Sequence, residues 1–307
     1  MILCKTPLRV SFLGGGTDFP AYFRKHGGAV LGSAVDHNLY HSVMPFHSRL
    51  FDYSIRIAYR EVERVRHVQD IQHAPFREAI QSVGFERDIE ISLTSDLPSF
   101  SGLGSSSSFI VGLLNALYAF KGVSIPKLDL AHKAIDIEQN ILKEAVGCQD
   151  QVFAAVGGFN LIEFTETENI VVNRIPMSAN RMKTLEDRLL FYYTGIARRA
   201  ADLEAKKMEN LAGITKHLTQ MRQLVDEGYR AITNGNDFDH FGTLLDKAWA
   251  LKKELTRGVS CTTIDDMYDA AMEAGALGGK LLGAGGGGFL LFYVPEERQA
   301  RVRQALS

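Results

Sequence analysis

The chain has 307 residues, 46% of them apolar, which is enough to bury a large core in one big domain or two closely associated ones. Its 34 basic and 36 acidic residues leave a net charge of −2, a balance that does not indicate nucleic acid or an anionic membrane as a partner. Its three cysteines are isolated and lie outside any Cys-x-x-Cys pattern, which favours a reducing compartment. No apolar run approaches the ~20 residues that cross a bilayer, so we expect a cytoplasmic protein.

The first hundred residues predict mostly strands. Residues 1–13 are rich in β-branched and apolar side chains and stop at Gly14-Gly15-Gly16. Thr17-Asp18 followed by Pro20 predicts a helix start with a capping side chain. Further strands are predicted over 29–46, 49–60 and 89–94, with a short helix over 76–83.

From Ser105 onward the apolar residues recur at helical spacing. Helices are predicted over 105–120, 127–143 and 152–156, followed by a strand over 160–164. The polar segment 165–187 predicts a boundary between domains at 1–170 and 171–307. Beyond it we predict a strand over 188–194, helices over 198–211, 214–233, 238–255 and 263–274, a strand over 289–294 and a C-terminal helix. Strands grouped together and helices grouped together favour an α+β fold.

A glycine- and serine-rich loop, Asp96 to Ser108, stands directly before an apolar helix. Glycine lets the backbone approach a ligand closely, and the first N–H groups of a helix attract anions. Serine hydroxyls in the first turn can bind phosphate oxygens or Mg²⁺. No Lys-Ser/Thr follows the last glycine, so this is not a Walker A loop. The loop therefore predicts a phosphate site, unless its serines only cap the helix.

Two more glycine-rich loops follow or precede strands. In the first, Pro7 to Asp18, three consecutive glycines make room for a ligand, and Asp18 is either an acceptor for ligand hydroxyls or a helix cap. Arg9 lies on a strand that is otherwise apolar, and a buried arginine needs a partner. The other loop, Gly278 to Phe289, predicts backbone packed close to a ligand or to another loop.

Two carboxylates complete the set. Glu138 lies on the predicted helix 127–143 and Asp150 lies in the string Gly147-Cys148-Gln149-Asp150-Gln151. Taken alone, Glu138 reads as a solvated helix residue and Asp150 as an ordinary N-cap. Taken with the three loops, they fit phosphoryl transfer, which needs an anion cradle, a metal, a carboxylate near the acceptor hydroxyl and a cation that offsets charge.

At these residues the chain resembles the GHMP kinases. Residues 98–107 are similar to that family's P-x-x-x-G-L-G-S-S-A motif, with Ser107 in place of alanine. The resemblance implies a two-domain α+β fold with its active site in the inter-domain cleft, and ATP and Mg²⁺ as cofactors. It implies that Ser106 and Glu138 bind Mg²⁺ and that Asp150, paired with Arg9, is the catalytic carboxylate. The residues that it places at the ATP site are Pro98, Gly102, Leu103, Gly104, Ser105, Ser106 and Ser107, and those that it places at the sugar site are Gly15, Gly16, Thr17, Asp18, Arg198, Gly285 and Gly286.

The first loop departs from galactokinases, which have a Glu-His pair where this chain has Gly15-Gly16. It looks instead like the branch of D-glycero-D-manno-heptose 7-phosphate kinases and fucokinase-type domains, which phosphorylate the anomeric hydroxyl. Arg198 then either serves an anionic substrate or is solvated. The partner implied is a small sugar or sugar phosphate. An uncharged sugar such as fucose and a non-catalytic sugar and ATP sensor stay open as alternatives, as does the oligomeric state, a homodimer included.

Overall fold

A computed structural model describes residues 1–98, 101–196, 203–205, 210–234 and 238–307. The strands are β1 (Ile2–Leu13), β2 (Gly28–Pro45), β3 (Ile55–Ala58), β4 (Val62–Val65), β5 (Ile89–Ser95), β6 (Phe159–Phe164), β7 (Ile170–Arg174), β8 (Leu189–Tyr193), β9 (Gly278–Leu281) and β10 (Phe289–Tyr293). The helices are α1 (Pro20–His26), α2 (Ala74–Val83), α3 (Ser105–Phe120), α4 (Lys127–Asp136), α5 (Gln149–Val156), α6 (Ala179–Asp187), α7 (Leu211–Asn234), α8 (Phe238–Leu255), α9 (Thr262–Ala274) and α10 (Gln299–Ala305). Among the described residues, no helix is both long enough and apolar enough to cross a membrane.

The chain divides into two compact units, each built from separate segments. The first unit comprises Met1–Arg9, Ala34–Ser99 and Gly104–Gly157, and the second comprises Val10–Ser33, Phe100–Leu103 and Gly158–Ser307. Strands β1 and β2 therefore contribute residues to both units. The domain division at residue 170 stays a prediction.

The first unit is a sheet covered by helices. The C-terminal half of β2 pairs with β5 in antiparallel register, while β3 runs parallel to β5 and antiparallel to β4. Strand β3 shows why the sheet has one buried face: Ile55 and Ile57 are fully buried, whereas Arg56 between them is not. Helix α3 packs against α2, α4 and α5, and most of its residues are buried because its sequence is apolar on nearly every side.

The second unit contains the β6 and β7 part of the seven-stranded sheet and a separate three-stranded sheet. The N-terminal part of β2 pairs with β6, which pairs with β7, and β10 lies between β8 and β9 in an all-antiparallel sheet. Helix α8 packs against α7 and β9. The core beside the smaller sheet is formed by large buried side chains, among them Trp249, Ile264, Leu290 and Phe292.

Several predicted elements differ from the structure. The predicted cap at Thr17 or Asp18 is wrong, because α1 begins at Pro20 and its N-cap is Phe19, which no described side chain caps. The predicted strand over 49–60 is shorter, since a 3₁₀ turn over Ser48–Leu50 precedes β3. The polar segment 165–187, in which we predicted a domain boundary but no regular structure, contains β7 and α6.

The predicted helix over 127–143 also ends early. Helix α4 stops at Asp136 and continues as a π turn over Ile137–Ile141, in which Leu142 N–H donates to the carbonyl of Ile137 at 2.8 Å. Single π turns of this kind concentrate at functional sites, and this one carries Glu138. The predicted helix over 238–255 is confirmed, and most of the one predicted over 198–211 lies outside the described residues.

Candidate active site

The N-cap residue of helix α3 is Gly104, at a φ of +75° that favours glycine. Among the described residues, no side chain caps this end of the helix. The serine hydroxyls of its first turn have other partners, since Ser108 Oγ donates to the Pro7 carbonyl at 2.9 Å and Ser107 Oγ donates to Glu138. The predicted alternative, that these serines only cap the helix, finds no supporting bond. In the described part of the chain, no side chain therefore takes up the N–H groups that precede Ser108, which are the groups that bind anions at a helix start.

The segment just before α3 lies against the third glycine loop, Gly278 to Phe289. Phe289 N–H donates to the Ser101 carbonyl at 3.1 Å. A Cβ on Gly102 would lie 2.7 Å from the Leu282 carbonyl oxygen, and a Cβ on Gly283 would lie 2.7 Å from Gly102 Cα. Both positions therefore require glycine, and the predicted close packing of this loop against another loop is confirmed.

Other contacts hold the third loop. Lys252, which is buried, donates from Nζ to the carbonyls of Leu281 at 2.7 Å and Gly283 at 2.6 Å. Gly286 N–H donates to the Val259 carbonyl at 2.8 Å, and a Cβ on Gly285 would lie 3.0 Å from that same oxygen. The structure thus places Gly285 and Gly286 against the segment that precedes α9, and their contact with substrate stays a prediction.

Glu138 is fully buried, so its reading as a solvated helix residue is wrong. Its Oε1 accepts from Ser107 Oγ at 3.1 Å and from Ser106 Oγ at 3.4 Å, and its Oε2 accepts from Gln151 Nε2 at 2.6 Å. Burial raises the pKa of Glu138 to about 8, an effect that its hydrogen bonds from Gln151 and Ser107 oppose. The structure therefore brings together the two residues predicted to bind metal, Ser106 and Glu138.

Arg9 and Asp150 form a two-point ion pair. Arg9 Nε donates to Asp150 Oδ1 at 2.6 Å and the terminal Nη2 donates to Oδ2 at 2.5 Å. The Arg9 side chain is 7% exposed and that of Asp150 is 23% exposed. Asp150 is not the N-cap of α5, because that position is Cys148. The pair predicted for catalysis is thus assembled, with Asp150 as its more accessible member.

The first glycine loop, Pro7 to Asp18, packs closely against β2. A Cβ on Gly14 would lie 2.0 Å from the Ala29 carbonyl oxygen, so the loop approaches the strand as closely as glycine allows. The Thr17 hydroxyl lies 2.8 Å from the Gly14 carbonyl and 2.9 Å from that of Ala29, and accepts from Ala29 N–H. Asp18 is buried and its Oδ1 accepts from Gly16 N–H at 2.9 Å.

For several predicted site residues the structure shows only how buried they are. Pro98 is exposed and Leu103 is buried. Gly15 and Ser105 are half-buried. Arg198 lies outside the described residues. Contacts of Gly15, Gly16, Thr17 and Asp18 with a sugar stay predictions.

Two models of known protein families match the sequence of this chain. The model described as the GHMP kinases N terminal domain matches residues 68–158, and the model described as GHMP kinases C terminal matches residues 222–307, together more than half of the chain. The chain belongs to the GHMP kinases. It is accordingly an ATP-dependent phosphotransferase with an alcohol group as acceptor.

Individual GHMP kinases resemble the whole chain. A D-glycero-alpha-D-manno-heptose 7-phosphate kinase of Campylobacter jejuni is 31% identical over 99% of this chain and 93% of its own length. An L-fucokinase/L-fucose-1-P guanylyltransferase of Bacteroides fragilis is 28% identical over 97% of this chain but only 35% of its own length. The crystal structure of a D-glycero-D-manno-heptose 1-phosphate kinase from Bacteroides thetaiotaomicron superposes with a TM-score of 0.80 at 24% identity, over all of this chain and 92% of that one. That last likeness shows the fold alone.

Two residues that contact predicted site elements were missed from sequence: Lys252, which bonds to the third glycine loop, and Gln151, which bonds to Glu138. Lys252 lies in the apolar stripe of α8, in line with Leu245, Trp249 and Leu255, and a lysine in such a stripe is a signal that it has a buried partner. Gln151 carries no comparable signal, because its importance depends on Glu138, which lies 13 positions away and meets it only in the folded chain.

Proposed function

We propose that this GHMP kinase transfers the γ-phosphate of ATP to the anomeric hydroxyl of a sugar, and that the sugar is D-glycero-D-manno-heptose 7-phosphate. The observation that carries the kinase chemistry is the contact of buried Glu138 with the hydroxyls of Ser106 and Ser107, at the uncapped N-terminus of α3. It joins an anion-binding helix end to a carboxylate. The substrate rests on the similarity, over nearly the full length of both chains, to a heptose 7-phosphate kinase.

The loop before α3 would hold the phosphates of ATP. Glycine at positions 102 and 104 keeps side chains out of the space beside the backbone, and the first-turn N–H groups donate to phosphate oxygens. The residues assigned to this role are Pro98, Gly102, Leu103, Gly104, Ser105, Ser106 and Ser107. The binding energy here is electrostatic and directional, as phosphoryl transfer requires.

The Ser106 hydroxyl and the Glu138 carboxylate fit Mg²⁺. Magnesium prefers oxygen ligands and is usually held by one or two carboxylates, with waters and substrate phosphates completing its shell. In the part of the chain that the structure describes, no cluster of three or more His, Cys, Asp or Glu side chains could hold a metal, so an all-protein cage is not offered there. When bound, the ion supplies charge neutralisation on the transferring phosphate.

Asp150 would orient the acceptor hydroxyl. In the transfer, the acceptor oxygen bonds to the γ-phosphorus, the bond from that phosphorus to the β–γ bridging oxygen breaks, and ADP leaves. The hydroxyl proton passes to Asp150 or to water. Arg9 holds both carboxylate oxygens from one side, which fixes the plane of the carboxylate and leaves lone pairs on its more exposed side for the hydroxyl. An anomeric hydroxyl is more acidic than an ordinary alcohol, so orientation contributes more than basicity.

Asp18 and the glycines beside it would contact the sugar. Asp18 is a buried carboxylate whose Oδ1 is bonded to the Gly16 backbone, so its position is fixed before any sugar binds. A preorganised acceptor of this kind suits a polyol, whose hydroxyls donate hydrogen bonds. Gly285, Gly286 and Arg198 are assigned to the same substrate by the resemblance.

A fucokinase-like activity on an uncharged sugar is the second candidate, favoured by the 28% identity with the fucokinase of Bacteroides fragilis over 97% of this chain. A coupled ADP-release assay with heptose 7-phosphate, fucose, galactose and mannose separates the two. We expect the highest kcat/KM on heptose 7-phosphate and a product whose ³¹P signal couples to the anomeric proton. Turnover of fucose alone would support the second candidate, and ATP binding without turnover of any sugar would support a sensor.

A further inference from the structure

Gln151 directly follows Asp150 on α5 and reaches Glu138 on the π turn. Its Nε2 lies 2.6 Å from Glu138 Oε2, and both side chains are fully buried. We propose that Gln151 is a positioning residue for the metal carboxylate: it holds Oε2 so that Oε1 stays turned to the serine hydroxyls of the phosphate loop. This inference rests on the proposed function, because Glu138 matters to the reaction only if it binds the metal.

The two oxygens of Glu138 have different partners. Oε1 accepts from Ser106 and Ser107, and Oε2 accepts from Gln151. A carboxylate attached through three rotatable bonds can turn unless both of its ends are held. With Gln151 in place, turning would leave the amide N–H without its acceptor in a buried environment, which is costly. Gln151 thus fixes the plane of the carboxylate, with one oxygen facing Ser106.

The orientation of the Gln151 amide is set by Glu138 itself. The amide oxygen Oε1 of Gln151 is buried and has no hydrogen-bond partner among the residues that the structure describes. Turning the amide over would bring that oxygen against the carboxylate, two acceptors in contact, so only the observed orientation is compatible with Glu138. A buried amide oxygen without a partner destabilises the fold, and it is tolerated here while the amide N–H holds the carboxylate.

The position of Gln151 also connects the two carboxylates of the site. Asp150 and Gln151 are consecutive in the first turn of α5, where one side chain meets Arg9 and the other meets Glu138. A helical turn is rigid compared with a loop, so the placement of Asp150 relative to Glu138 depends on one short element. Gln151 should therefore affect metal binding first and the transfer step second.

The test uses Gln151→Met, which keeps length and volume but removes the donor. Its matched control is Gln139→Met, because Gln139 lies in the same π turn but donates to the Val146 carbonyl at 2.9 Å and to Cys148 Sγ instead of to Glu138. The primary readout is the affinity of the full chain for Mn²⁺ in the presence of ADP, measured by electron paramagnetic resonance. Melting temperature without metal and the Mg²⁺ dependence of kcat are measured alongside it.

We expect Gln151→Met to weaken Mn²⁺ binding by about 10–100-fold, the usual effect of losing a partner that orients a ligand, while Gln139→Met binds Mn²⁺ like the wild type. Wild-type Mn²⁺ affinity in folded Gln151→Met overturns the proposal, as does an equal loss in Gln139→Met. If Gln151→Met does not fold, Gln151→Asn replaces it, since its shorter amide no longer reaches Oε2.

A double variant separates this inference from the proposed function. In a Glu138→Gln background, Gln151→Met should change Mn²⁺ affinity no further, because its route of action is already removed. A further loss of similar size in that background would mean that Gln151 acts elsewhere. If the wild type binds ADP but no Mn²⁺, the metal role of Glu138 in the proposed function is wrong. If the wild type binds Mn²⁺ and Gln151→Met binds it equally well, only the inference about Gln151 is wrong.

Discussion

Arg9 and Asp150 stand 141 positions apart in the chain and meet in a two-point ion pair, Nε to Oδ1 and Nη2 to Oδ2. The arginine comes from β1 and the aspartate from the first turn of α5. Because the planar guanidinium matches the carboxylate at two points, it fixes the direction of the carboxylate as well as its position. This arrangement suits a carboxylate that must meet an acceptor hydroxyl at a defined angle.

The first prediction is that Asp150→Asn lowers kcat about 10²–10⁴-fold, the usual contribution of a positioned acid or base. The amide can neither accept the proton nor bond to Arg9 through both oxygens. The KM for ATP should change little, since Asp150 lies outside the phosphate loop. Steady-state kinetics with saturating sugar measure both parameters.

A matched control is Arg56→Gln, which removes an ion pair with Glu90 on the same unit but away from the site. Its kcat should equal that of the wild type within about twofold, because half-exposed ion pairs contribute little. Should Asp150→Asn keep most of its kcat on the true substrate, Asp150 has no part in the transfer. A loss confined to the KM for sugar would make it a binding residue.

The second prediction concerns Gly104. A Cβ there would lie 3.0 Å from Arg9 Cγ, and the φ of +75° disfavours any β-branched residue. Gly104→Val should raise the KM for ATP by about 10–100-fold, the equivalent of one or two lost hydrogen bonds to a charged group. Titration of ATP with the sugar held saturating gives the value.

Gly122→Val supplies the comparison for backbone strain. Its φ is +78°, close to that of Gly104, but a Cβ there would meet no atom of the described residues within 4 Å. In thermal melts, Gly122→Val should lose about 1–2 kcal/mol for a left-handed backbone with a side chain, and Gly104→Val should lose at least that, because its Cβ also meets Arg9. Equal ATP kinetics in the two variants would separate Gly104 from the phosphate site.

The third prediction is that a chelator abolishes activity and that added Mg²⁺ restores it. Glu138→Gln should need at least roughly tenfold more Mg²⁺ for its half-maximal rate, because losing even a residue that only orients a metal ligand lowers metal affinity by that much. Glutamine keeps the size of the buried side chain but supplies no negative charge. Activity is measured over a Mg²⁺ series at fixed free ATP. A wild-type Mg²⁺ dependence in Glu138→Gln would assign this carboxylate to the fold rather than to the metal.

Much of the site was predictable because its signals are local. Helix α3 follows from apolar spacing and the loop before it from glycine and serine composition, so the proposed phosphate site is predicted from consecutive residues. The π turn was not predictable. Its residues continue the helical pattern of α4, and the partners of Glu138 in this turn, Ser107 and Gln151, are distant in the sequence.

Pairings over long separations were only half predictable. The apolar setting of Arg9 indicated a need for a partner, and the family resemblance named Asp150, but nothing local to either residue specifies a two-point geometry. Strand β7 and helix α6 were missed for a different reason. Their sequence is polar and they are half-exposed, so the apolar periodicity on which the prediction depended is absent.

The last prediction concerns His41, a fully buried histidine on β2 whose two ring nitrogens have no hydrogen-bond partner among the described residues. Its ring lies 5.3 Å from that of Phe109, and a Cβ on Gly112 would lie 2.8 Å from its Nδ1. Burial lowers the pKa of His41 to about 3. The folded protein therefore keeps this histidine neutral at pH values where the unfolded chain protonates it.

The sign follows from proton binding. Between the folded pKa of about 3 and the ordinary value of 6.5, the unfolded state binds more protons, so the free energy of unfolding falls as pH decreases through that window. Above pH 6.5 this effect is absent. Relative to His41→Leu, the wild type should lose roughly 2–3 kcal/mol at pH 4.5, since each unit of pKa difference corresponds to about 1.4 kcal/mol. Urea melts at pH 7.5 and 4.5 measure the difference, with His132→Gln as an exposed-histidine control that should follow the wild type. If the wild type and His41→Leu lose stability in parallel as the pH falls, His41 is protonated in the folded state and has found a partner there.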